Sequence, residues 1–205
     1  GYAARITVIE GHSAKVNLPE RANVLVTDIR GALPLFGDNI QTLADARTRH
    51  LTPNARFVPK EDIVRVAVVS VEGIYASIAG QFPFGATPRM TSPLSAARNS
   101  VHVVRGDEID ERQIVSTDAE LFRVDYATST PRVENGSVRV AVRQSGVAHG
   151  LCVYFDAHTS ATQAYTSRPG HRSVHGNAFF PWPEPIALHE GDIAHIDIWA
   201  NPRKD

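Results

Sequence analysis

Asp28 follows the apolar run Ala22 to Val26, ANVLV, and is itself followed by Ile29, Arg30 and Gly31. A carboxylate at the end of a buried strand, with a glycine turn beyond it, is where an open α/β sheet places ligand chemistry. Arg30 sets a cation beside that acid, which either neutralises it or repels a cationic ligand. Asp38 is the next acid along, and its position ahead of an apolar-periodic run reads as a helix N-cap. His12 and Ser13 follow Gly11 in a polar turn, GHSAK. His149, His158, His171, His189 and His195 crowd the second half of the chain, but their spacings form no zinc pattern, so no metal site is expected. The single cysteine, Cys152, lies in the strand-like CVYF and reads as a core thiol in a reducing compartment.

The elements that must position these groups fall into two textures. Over residues 1–59 the sequence predicts strands at Arg5 to Ile9 (RITVI) and Asn23 to Val26, then a helix from Asp38 to Leu51, with Ile40, Leu43, Ala44, Arg47 and Leu51 spaced near 3.6 and Pro53-Asn54 ending it. Uninterrupted apolar strands suit a parallel sheet. Over residues 60–205 short β-rich segments alternate with Gly, Pro, Asn and Ser, which predicts a closed or sandwich-like antiparallel β domain. Val138, Val140 and Val142 alternate with Arg139 and Arg143, so one face is apolar and the arginines form a solvated face. Pro83 to Asn99 carries little periodicity and reads as an exposed loop or an arm docking on another subunit.

The chain has 205 residues and a formal charge of −1, so no global field favours nucleic acid or an anionic membrane. No apolar run approaches the ~18 residues of a membrane span. A cytoplasmic protein is expected. The chain starts at Gly1-Tyr2 and its one methionine is Met90, which reads as part of a longer protein.

In this order the segments resemble the protein arginine methyltransferase family. RITVIEGHSAKVNLPERANVLVTDIRG is similar to the family's strand, adenine-side turn, Leu-Pro-Glu and strand leading into the acidic substrate loop. In DNIQTLADARTRHLTPNARFVP, Ala46-Arg47, Leu51, Pro53 and Phe57-Val58-Pro59 fall where the family has its Ala-Arg, Leu, Pro and strand-Pro signature. AHGLCVYFDAHT and HGNAFFPWPEPIALHEGD resemble two strands of its C-terminal barrel.

The resemblance implies an α+β chain: a partial Rossmann-like segment, 1–59, followed by an antiparallel β-barrel, 60–205, with homodimerisation through residues 84–98. It implies S-adenosylmethionine as cofactor, with Gly11, His12 and Ser13 beside the adenine, and no Gly-rich turn for the rest of the cofactor. Methyl transfer to a guanidinium nitrogen requires that nitrogen to be fixed in line, which two carboxylates do by charge-assisted hydrogen bonds. The first matches Asp28, and the second falls at Gly37, one residue before Asp38. His175 matches the histidine of the family's Thr-His-Trp loop, with Gly176 at the tryptophan. The expected function is that of a portion of a methyltransferase, catalytically silent by itself, with protein arginine, another amine or oxygen nucleophile, or no acceptor all open. The alternatives are a non-catalytic barrel for assembly and a small-molecule-binding barrel. An antiparallel strand at Asn23 to Val26 would favour the latter.

Overall fold

The structure, a computed structural model, describes residues 1–80 and 91–201. The first 21 residues contain only a single 3-10 turn at Ala3–Arg5, and the strand expected at RITVI does not form. Ile6 and Val8 are exposed, so this segment has no neighbour to complete a ladder.

The first strand, β1 (Ala22–Val26), is parallel as its apolar run suggests, but its partner is β2 (Leu51–Val58) in place of the expected RITVI. That orientation counts against the small-molecule barrel. Between them, α1 (Asn39–Arg49) stops earlier than its periodicity suggests, because Leu51 opens β2 instead of closing the helix. Pro53 and Asn54 lie inside the strand. The register explains this: Ala22 faces Leu51 but Val24 faces Arg56, so the intervening residues of β2 bulge out of the ladder and no amide is needed from Pro53. Asp38 stands at the N-cap position, yet its side chain makes no capping hydrogen bond; its carbonyl instead accepts from Thr42 N–H at 2.8 Å.

From residue 61 onward the chain is mostly strand. β3 (Glu61–Val69) leads into α2 (Glu72–Gly80), α3 (Thr91–Arg98), β4 (His102–Val104), β5 (Ala119–Asp125) and β6 (Glu134–Ala141). β7 (Gly146–His158), β8 (Ala164–Thr166), β9 (Asn177–Leu188) and β10 (Ile193–Ala200) complete it. The order β4-β9-β7-β3-β5 forms the main sheet, with β8 added beside β7, and β6 and β10 pair separately. All these pairings are antiparallel. Among the described residues the ladders do not close into a continuous barrel; this part is a main sheet with a two-stranded ribbon packed on it. Val64, Val66, Val68 and Val153 of the main sheet meet Val140 and Ile196 of the ribbon in one apolar cluster.

The alternation in β6 places Val140 and Val142 inside and Arg139 and Arg143 in solvent. Cys152 is buried in β7, and burial pushes its thiol up to about 12, which keeps it inert as a nucleophile. Of the expected dimer arm, 84–98, the part at 84–90 lies outside the described residues. Residues 91–98 form α3, which packs on β9, with Arg98 Nη1 donating to the Pro183 carbonyl at 3.1 Å. Among the described residues no helix is long and apolar enough to cross a membrane.

Candidate functional site

Asp28 and Arg30 lie just beyond β1, on the segment that leads to α1. Ala32, Leu33 and Leu35 anchor the far end of that segment in the core, and Asn39 Nδ2 ties it down by donating to the Pro34 carbonyl at 2.7 Å. The near end, at Asp28 and Ile29, stays exposed. Arg30 is therefore drawn inward at the point where the backbone passes from solvent into the fold.

The guanidinium of Arg30 ends against Asp62, the second residue of β3, which lies between β5 and β7 with no solvent exposure. Arg30 Nη1 donates to both oxygens of Asp62, each at 2.8 Å. Arg30 Nη2 donates to the Tyr165 hydroxyl and lies 3.3 Å from Asp28 Oδ1. Tyr126, just past β5, donates its hydroxyl to Asp62 Oδ2 at 2.5 Å. Phe155 of β7 and Tyr165 of β8 flank the cation, with their ring centres 5.1 and 5.4 Å from the guanidinium carbon. Such cation–π contacts strengthen when water is excluded. His175, from the loop before β9, stacks on Tyr165 at 6.0 Å and sets its Nε2 3.3 Å from Asp28 Oδ1.

Burial pushes the Asp62 carboxyl above the ordinary carboxylate range, with Arg30 and then Tyr126 pulling it back. Burial also works against the charge of Arg30, but Asp62 and then Tyr126 outweigh it and hold the guanidinium protonated. The Tyr126 phenol is raised, first by burial and then by Asp62, so it remains a donor. The cluster can thus hold a flat cation between two carboxylates and two rings, buried on the Asp62 and Phe155 side and nearer water on the side of Asp28 and Tyr165.

Asp28 and His175, both expected from the sequence, are brought into contact. The second carboxylate is absent from Gly37, which takes a left-handed turn at φ 58°, and from Asp38, which faces solvent. The second carboxylate on the Arg30 guanidinium is Asp62, which sequence reasoning did not single out, nor Tyr126, Phe155 and Tyr165. The one signal was an Asp immediately before the mostly apolar run IVRVAVV, where a charge needs a partner. Gly176 also has a reason: a Cβ there would lie 2.5 Å from the Val104 carbonyl, so no tryptophan fits.

Gly11, His12 and Ser13 form an exposed turn that docks on the end of α1. The Ser13 carbonyl accepts from Arg49 Nη2 at 2.7 Å and faces His50 Nε2 at 3.2 Å, while the His12 carbonyl accepts from Lys15 and Val16 N–H. The His12 and Ser13 carbonyls are thus engaged within the fold. Among the described residues no three His, Cys, Asp or Glu side chains converge as metal ligands.

A separate apolar cavity of about 320 Å³ lies between the 33–37 segment and the β domain, lined by Leu33, Phe36, Gly37, Val153, Phe180 and Trp199. Trp199 stands at its edge, 72% exposed.

No protein-family model matches the chain. It is 24% identical over 212 residues to protein arginine N-methyltransferase 2 of Mus musculus, covering 95% of this chain and 46% of that relative. It is 25% identical over 186 residues to the probable histone-arginine methyltransferase 1.4 of Arabidopsis thaliana, covering 84% of this chain and 35% of that relative. The chain spans less than half the length of these relatives. In fold it is similar to the Trypanosoma brucei PRMT1 enzyme-prozyme heterotetrameric complex with AdoHcy, at a TM-score of 0.78 and 18% identity over 96% of this chain and 63% of that one. In sequence and in fold, each over most of its length, the chain is similar to the protein arginine methyltransferases.

Proposed function

We propose that this chain is the substrate-positioning portion of an S-adenosylmethionine-dependent methyltransferase whose acceptor is a guanidinium nitrogen. The observation that carries the reading is the convergence of Asp28 and Asp62 on one guanidinium, with His175 against Asp28. Two carboxylates on one cation fix its plane, and each charge-assisted hydrogen bond of this kind contributes about 1.5–3 kcal/mol. His175 orients Asp28, so it is a positioning residue. Phe155 and Tyr165 exclude water from the faces of the cation.

The reading includes catalytic silence of the 205-residue chain, because its sequence carries no Gly-rich GxGxxG-like turn to hold the methyl donor. An arginine-containing peptide and S-adenosylmethionine, each titrated calorimetrically into the chain, test the two halves. The peptide should bind weakly and lose that binding in Asp28→Asn, while the cofactor should give no saturable heat. Micromolar cofactor binding would overturn the silence, and peptide binding indifferent to Asp28 would overturn the substrate role.

A further inference from the structure

Every polar contact that Arg30 makes in the cage uses its two terminal nitrogens. Nη1 serves both oxygens of Asp62, and Nη2 serves Tyr165 and approaches Asp28. The Nε–H is buried without a hydrogen-bond partner. The cage therefore recognises the planar diamino end of a cation and makes no polar use of the stem that delivers it. It also has one open side: the Asp28 side chain is 54% exposed, whereas Asp62 is fully buried.

We propose that this cage is an exchange site whose resident occupant is Arg30, and that an external guanidinium or amidinium cation enters it in place of Arg30. The proposal deepens the reading above and rests on it for the source of that cation. An arginine side chain from a polypeptide must displace Arg30 before Asp28 and Asp62 can hold it, so Arg30 is a built-in competitor. Charge restricts the exchange. If Arg30 left with nothing in its place, the Asp62 carboxylate would be buried without a counter-charge, so neutral and anionic molecules are excluded. Shape restricts it further. A flat, weakly hydrated cation fits between the Phe155 and Tyr165 rings, whereas a compact ammonium keeps its water and cannot spread its donors over both carboxylates.

The probe is N-ethylguanidinium, titrated into the unaltered chain, Arg30→Ala and Arg30→Gln, with N-ethylurea as the neutral control. Expected are saturable calorimetric binding to Arg30→Ala at least about tenfold tighter than to the unaltered chain, and a rise in its melting temperature that N-ethylurea does not produce. Both should vanish when Asp62→Asn is added. Arg30→Gln keeps the stem and an amide donor and serves if the alanine chain does not fold. In the unaltered chain, labelled with arginine for nuclear magnetic resonance, the Arg30 side-chain signal should move to its solvent position as the probe saturates. The proposal is overturned by a folded Arg30 variant that does not bind the probe, by an equal response to N-ethylurea, or by an Arg30 signal that stays fixed at saturation. No methyl donor takes part, so these failures are distinct from failure of the cofactor and peptide titrations.

Discussion

Asp62 and Arg30 form the one ion pair, among the described residues, in which both side chains are shielded from solvent, at 0% and 3% exposure. Breaking such a pair from either side leaves a bare buried charge, which costs about 3–5 kcal/mol, more than the intact pair contributes over an apolar replacement. Asp62→Asn and Arg30→Met should each lower unfolding stability by about that amount in urea titrations. The double variant should lose clearly less than the sum, and strict additivity would show that the two groups do not interact.

Removing Arg30 should also strengthen the pH response that Asp62 already gives the fold. Burial already pushes the Asp62 carboxyl up, and Arg30 is the first of the groups that pull it down. Without Arg30 the folded-state value rises further above the unfolded one. A carboxyl with a raised folded-state value takes up its proton preferentially in the native chain, so stability is gained as pH falls through that value and lost as pH rises through it. Arg30→Ala should therefore gain stability, relative to Arg30→Ala/Asp62→Asn, as pH falls from the alkaline side through that raised value. Parallel urea midpoints for the two chains would contradict this.

Asp118 should behave in the opposite way. Burial works to raise its carboxyl, but the Tyr154 hydroxyl and Arg168, whose Nη1 lies 2.5 Å from Oδ2, outweigh it and hold the carboxyl below its ordinary value of 3.8. A depressed carboxyl contributes stability above its unfolded value and loses it as pH falls through the folded one. Acid unfolding below about pH 4 should be shallower in Asp118→Asn than in the unaltered chain. Superimposable acid limbs would remove Asp118 from the account.

Gly176 should tolerate no side chain. A Cβ would meet the Val104 carbonyl at 2.5 Å and Val103 Cγ1 at 3.0 Å. Gly176→Ala is expected to cost about 1–3 kcal/mol by forcing β4 and the His175 loop apart. Because that loop carries His175, the variant should also weaken the peptide binding expected above, and a circular-dichroism melt matching the parent would show that the loop gives way without cost.

The sequence disclosed a strand at Asn23 to Val26 in a parallel pairing, the helix before β2 and the β-rich second part, because each rests on local pattern. Two features were hidden for physical reasons. β2 absorbs Pro53 and Asn54 in a bulge, so residues that usually end structure sit inside it. Asp62 lies in an apolar strand, and its meaning depends on Arg30, which is 32 residues away and reaches it only through the fold. RITVI has strand-forming composition, yet composition cannot supply a partner strand.

Trp199 and Trp182 are the chain's two tryptophans, and the fold gives them different surroundings. Trp199 stands in solvent at the edge of the apolar cavity, while Trp182 is half-buried against the central cluster. An apolar molecule entering that cavity would dry one indole and leave the other unchanged, so the emission spectrum would split into a blue-shifting component and a constant one. The chain thus carries its own optical gauge for that cavity, with an internal reference, and needs no attached dye.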